Sequence, residues 1–179
     1  MSFGRRLPSL GAVLLLGAGV VLLILTDGGG RAGDGKGGRQ GSSGESARAL
    51  VTRVVDGDTA EMELGGSRGE EDVRYIGVDT PESVAPGQPV ECFGKDASEF
   101  NRKLVEDERV TLEFGAERRD RYGRLLAYVY LGDTFVNAEL VSQGFARTLE
   151  IAPNTGFAER FARLQQNAAN AGRGLWGSC

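Results

Sequence analysis

Apolar and polar positions alternate through "RALVTRVVDGDTAEMEL", residues 48–64, in two runs rich in β-branched side chains broken by Asp-Gly-Asp. The pattern predicts two strands joined at a turn. A loose loop, "GGSRGEED", leads to a third strand, "VRYIGV", which runs straight into "DTPE". Past the loop "PESVAPGQPVECF", residues 94–106 set Ala97, Phe100, Leu104 and Val105 on one helical face. "RVTLEF" and "LLAYVYL" read as two more strands, connected by the charged segment "GAERRDRYGR". "NAELVSQG" predicts a short helix with Asn137 as its cap and Gly144 as its stop. Phe157, Phe161, Leu164 and Ala168 recur at helical spacing and predict a last amphipathic helix. Five strands with helices between and after them imply an α+β fold, a five-stranded antiparallel OB-fold barrel closed by three helices.

The first 46 residues follow a different pattern. Arg5 and Arg6 precede a run without charge from Leu7 to Thr26, 20 residues long, enough to cross a bilayer. With no clear small-x-small cleavage site after it, residues 1–26 read as an uncleaved signal anchor, with a removed signal peptide as the alternative. Residues 27–46, glycine and serine punctuated by charge, read as a flexible linker, and residues 47–179 as the folded domain. Either reading of the N-terminus places the domain outside the cytoplasm, membrane-anchored or secreted. The two cysteines, Cys92 and Cys179, are too few for a four-thiolate zinc site and too far apart for a redox Cys-x-x-Cys pair. A disulfide or two unrelated thiols remain, and an oxidising destination favours the disulfide.

Charge and composition narrow the chemistry. The chain has a formal charge of −4, and residues after 44 carry 16 basic against 23 acidic side chains, or −7, which is poor for gripping a duplex by counterion release. A nucleic-acid role therefore requires a local basic cluster or a bound cation. Histidine is absent, so carboxylates, arginines and tyrosines are left for catalysis. Three polar clusters stand at strand ends or in loops: "DGDT" at 56–59, "RYIGVDTPE" at 74–82 and "DRYGR" at 120–124. If Asp58 and Asp79 converge, their hard oxygens suit a divalent cation, with the Thr80 carbonyl turned towards it by the extended bias before Pro81. Glu82 is placed to act on an adjacent water. Arg74 and Arg124 offer planar forks for phosphate oxygens. Taken singly, each cluster also reads as a turn, a surface arginine or a solvated loop.

In their joint order these clusters resemble the staphylococcal, or micrococcal, nuclease family, the thermonucleases, over residues 48–177. The likeness rests on "VVDGDT", "RYIGVDTPE", "FGKDASEF", "DRYGRLLAYVY", "VNAELVSQGFA" and "GLWG". It implies calcium-dependent hydrolysis of single-stranded or locally opened DNA and RNA by a monomer, leaving 5′-hydroxyl and 3′-phosphate ends. Calcium would be held by Asp58, Asp79 and the Thr80 carbonyl. Glu82 would be the general base or at least orient the attacking water, Arg74 and Arg124 would stabilise the pentacoordinate phosphate, and Tyr122 would touch a nucleotide phosphate.

The chain departs from the family's best-known member where that protein has two tyrosines before a proline-asparagine loop. Here the sequence is "TLEIAPNT" with no aromatic residue, which implies weaker nucleotide binding with hydrolysis retained. Two alternatives belong to other classes: a non-catalytic nuclease-like OB-fold module that binds oligonucleotide or protein, and a tethered extracellular structural domain.

Overall fold

In a computed structural model, the described residues are 45–66, 69–83, 87 and 89–179. The expected anchor and the linker before residue 45 lie outside them. Among the described residues no helix is long and apolar enough to cross a membrane.

The elements run β1 (Ser46–Asp56), β2 (Thr59–Leu64), β3 (Glu70–Tyr75), β4 (Val78–Asp79), α1 (Gly94–Val105), β5 (Arg109–Arg119) and β6 (Leu125–Leu131). They continue with β7 (Thr134–Phe135), α2 (Val136–Ser142), β8 (Arg147–Thr148), α3 (Ala158–Asn170) and α4 (Leu175–Ser178). Five long strands close a barrel in the order β3-β2-β1-β5-β6, with β6 returning to β3. The neighbouring pairs are antiparallel, and the closing pair is parallel, with Val73 opposite Leu125 and Tyr75 opposite Ala127. The barrel is therefore mixed rather than wholly antiparallel. No hairpin joins β3 to β6, because α1 and β5 lie between them and bring the chain back in the same direction.

Strand β1 shows how the sequence bends to close the barrel. Its inward residues are Ala49 and Val51, then Val54 and Asp56, and irregularities in its register with β2 fall at Val51/Arg53 and Val54/Asp56. One extra residue shifts the two-residue period and sharpens the local twist. The first half of β1 pairs with β5 as well as β2, so one strand serves both sides of the closure. Val51, Met62, Val73, Leu112, Ala127 and Val129 fill the interior, each fully buried. Burial of each large apolar side chain contributes about 1.5 to 3 kcal/mol before entropy is counted.

Helix α1 packs on β1 through Ala97, Asn101 and Val105, with Phe100 and Leu104 half-buried beside them, close to the expected face. Helix α3 buries Phe161 and Ala168 and leans Phe157 and Leu164 on the core. Helix α2 differs from expectation at its start. Asn137 lies inside the helix, fully buried, and is not its cap. Its side-chain oxygen accepts from the Val129 N–H and its amide donates to the Ile76 carbonyl, both at 2.9 Å. The asparagine thus ties α2 and β6 to the turn that delivers β4. β5 also runs further than expected, to Arg119, because its charged outer residues continue the β5–β6 ribbon beyond the core.

Candidate active site

The turn between β1 and β2 is built by its own aspartates. Asp56 accepts from the Gly57 N–H at 2.8 Å and from the Ser83 hydroxyl at 2.5 Å, which fastens the turn to the segment after β4. Asp58 is buried as well. Its Oδ2 accepts from the Thr80 N–H at 2.8 Å, and its Oδ1 accepts from the Thr59 hydroxyl at 3.1 Å. Gly57 is required where the two segments cross, because a Cβ there would stand 2.7 Å from the Thr80 side chain.

Arg74, at the end of β3, joins both carboxylates. Its Nη1 lies 2.8 Å from Asp58 Oδ2 and donates to the Val78 carbonyl at 2.8 Å, while Nη2 donates to Asp79 Oδ1 at 2.9 Å. Burial pushes the Asp58 carboxyl above the usual carboxylate range, against the opposing pull of Arg74 and the Thr80 N–H. Asp79 is largely exposed.

The oxygen donors at this corner fit a hard cation better than a soft one, since no thiol or imidazole approaches them. The Thr80 hydroxyl is buried and has no hydrogen-bond partner among the described residues, so the corner carries a polar atom its protein neighbours leave unsatisfied. No group of three or more acidic, cysteine or histidine side chains suited to a metal occurs among the described residues. Two carboxylates and a carbonyl would need water to complete a calcium shell.

Glu82, half-buried, lies two residues beyond Thr80. Its backbone is held on both sides: its N–H donates to Glu91 Oε2 at 3.1 Å and its carbonyl accepts from the Glu91 N–H at 2.9 Å. A Cβ on Gly94, the first residue of α1, would fall 2.4 Å from the Glu82 carbonyl oxygen, so only glycine permits α1 to begin against this segment.

The remaining arginine comes from the tip of the β5–β6 ribbon. Asp120 receives Nε and Nη2 of Arg124 at 2.7 Å on Oδ2, and the N–H groups of Tyr122 and Arg124 on Oδ1 at 2.9 and 3.0 Å. Burial works to raise the Asp120 carboxyl, but these bonds outweigh it and hold it below the usual range. Tyr122 is exposed, with its hydroxyl accepting from Arg121 at 2.6 Å.

Arg74, Arg124 and Tyr122 line one cleft of about 480 Å³, together with Leu149, Ile151 and Asn154. Asp58 and Asp79 join it through Arg74. Glu82 is not among the lining residues and is linked to the cluster through the chain and the Asp56–Ser83 bond. Cys92 and Cys179 are bonded as a disulfide. Asp56 and Asp120 lie within "DGDT" and "DRYGR" but their fastening roles are not visible in those patterns, and nothing in the sequence marks Glu91.

Residues 72–178 match the protein family described as Staphylococcal nuclease homologue. The chain is 39% identical over 164 residues to a thermonuclease of Staphylococcus intermedius, covering 92% of this chain and 95% of that one. It is 40% identical over 126 residues to a thermonuclease of Staphylococcus hyicus, covering 70% and 73%. With Endonuclease YncB of Bacillus subtilis it shares 39% identity over 128 residues, covering 70% and 60%.

Proposed function

From a chain that belongs to the staphylococcal nuclease family, we propose a calcium-dependent phosphodiesterase that acts outside the cytoplasm on single-stranded or locally opened DNA and RNA. The observation that carries this reading is the convergence of Arg74 and Arg124 on one cleft while Arg74 also gathers Asp58 and Asp79. Two guanidinium groups on one concave surface suit the oxygens of a phosphodiester, whose negative charge concentrates as the phosphorus becomes pentacoordinate. Each is held in advance by a carboxylate, so little reorganisation is left for the moment of reaction.

Glu82 acts on the attacking water. It takes one proton as the water oxygen bonds to phosphorus; the P–O5′ bond breaks, the departing 5′ oxygen takes a proton from solvent water, Glu82 returns its own to solvent, and the 3′ side keeps the phosphate. Asp58, Asp79 and the Thr80 carbonyl would hold calcium. That ion supplies positive charge beside the phosphate, which helps a domain of formal charge −7 accept an anion. Tyr122 meets a substrate phosphate at the mouth of the cleft. The Cys92–Cys179 bond supports an oxidising destination.

Digestion of single-stranded DNA tests the reading. Cleavage in calcium, its loss in chelator, little turnover in magnesium, and product ends that a phosphatase converts to 3′-hydroxyls are expected. Oligonucleotide binding in calcium without any cutting would overturn it in favour of a binding module.

A further inference from the structure

We propose that Glu91 is a positioning residue for Glu82, an inference that rests on the reading of Glu82 as the water-activating carboxylate. Glu91 takes both polar groups of the Glu82 backbone, using its own N–H for the carbonyl at 2.9 Å and its side-chain Oε2 for the N–H at 3.1 Å. A charged acceptor on a backbone N–H makes a stronger bond than a neutral one. The two contacts hold the backbone at Glu82, and with it the Cα from which the catalytic side chain departs.

Glu91 is itself anchored. Its carbonyl accepts from the Gly94 N–H at 3.0 Å at the start of α1. The turn that follows it is fixed by Phe93, whose φ of 70° lies where bulky residues rarely go and whose ring stacks on Phe145 at 5.3 Å. Cys92, the next residue after Glu91, is bonded to Cys179 at the end of α4. On the far side of Glu82, the Ser83 hydroxyl is held by Asp56. Glu82 therefore sits between two fastened neighbours, and Glu91 is the one that grips it directly. Misplacement of a reacting group by about 1 Å can cost on the order of 100-fold in rate.

The test compares wild type with Glu91→Ala, Glu91→Gln, Glu82→Gln and the double variant Glu82→Gln/Glu91→Ala, all assayed on single-stranded DNA in calcium. Glu91→Ala should lower kcat by about 10- to 100-fold with KM within about twofold, since the grip concerns turnover rather than binding. Glu91→Gln keeps an acceptor oxygen and should recover most of the rate. In the Glu82→Gln background, Glu91→Ala should add no further loss, because the residue it positions no longer acts. Should Glu91→Ala not fold, Glu91→Asp, shorter by one methylene, is expected to show the same loss of kcat. Three outcomes would overturn the inference while leaving the Glu82 assignment standing: unchanged kcat in the folded Glu91 variants, a loss confined to KM, or an equal loss in the Glu82→Gln background. Normal turnover by Glu82→Gln alone would overturn the assignment of Glu82 and the inference with it.

Discussion

Arg74 and Asp58 form a buried ion pair, with Nη1 2.8 Å from Oδ2 and side chains only 14% and 7% exposed. Removing one partner strands the other. Arg74→Ala should lower unfolding free energy in chelator by about 3 to 5 kcal/mol, the usual penalty for an uncompensated buried charge. Because the folded Asp58 carboxyl lies above its unfolded range, its contribution to stability is fully present below about pH 4 and is lost as pH rises through the raised value. The defect of Arg74→Ala should therefore shrink in acid, where Asp58 is neutral and needs no partner. Denaturant unfolding of both proteins across pH checks this, and a defect independent of pH would count against Asp58 as its source.

Arg124 depends on its fork. Nε and Nη2 both rest on Asp120 Oδ2, a two-point contact that the single nitrogen of lysine cannot reproduce. Arg124→Lys should reduce kcat by at least about 100-fold despite the kept charge, as loss of a transition-state donor does. The Asp120 carboxyl is depressed in the folded state, so its contribution to stability is present above about pH 4 and lost as pH falls through the lower folded value. Asp120→Asn and wild type should accordingly converge in unfolding midpoint at acid pH. A gap that persists there would exclude this carboxylate as the fastening.

Much of the barrel is legible in the sequence because periodicity is a local signal. The alternation at Val110, Leu112 and Phe114 and the spacing of Phe157, Phe161 and Leu164 each report one buried face. Pairings set by distant segments are not. β4 and β8 hold two residues each, too few for a period, and the parallel closure of β3 on β6 depends on how the intervening chain folds. Asn137 has the composition of a cap, and only the positions of Val129 and Ile76 make it a buried bridge. Of the residues proposed for the site, Asp58, Arg74, Asp79, Glu82 and Arg124 stand out in the sequence by their order along the chain. Asp56 and Glu91 do not, because the contacts that tie them to the segment after β4, the Ser83 hydroxyl and the Glu82 N–H, lie 27 and 9 positions away.

The Cys92–Cys179 bond closes a loop across 87 positions. In the chain-entropy description a loop of that size stabilises the fold by about 4 to 5 kcal/mol, less any strain. Reduction, or Cys179→Ser, should lower the denaturant midpoint with little change in its slope beyond that expected from a less compact unfolded chain. Two free thiols found by alkylation and intact mass of the chain purified without reductant would contradict the pairing.

Leu149 and Ile151 line the same cleft as Arg74 and Arg124, and Ile151 is 57% exposed. Exposed apolar side chains beside two arginines are suited to contact with a base, but an aliphatic surface has no π face on which a base can stack. Stacking on an aromatic side chain is worth about 1 to 3 kcal/mol per base. Ile151→Tyr should therefore tighten a 5′-phosphorylated deoxynucleotide in calcium by about 5- to 150-fold, the range that energy converts to. Its stability should hardly change, because the position is mostly solvent-exposed. The kcat should move much less than the affinity, since a stacked base interacts alike in ground and transition states and so lowers KM without helping the chemical step. Titration calorimetry with the nucleotide, paired with steady-state kinetics on single-stranded DNA, separates the two quantities. Unchanged affinity in both Ile151→Tyr and Leu149→Tyr would mean that the base lies away from this wall, and the substrate path through the cleft would then have to run past Tyr122 instead.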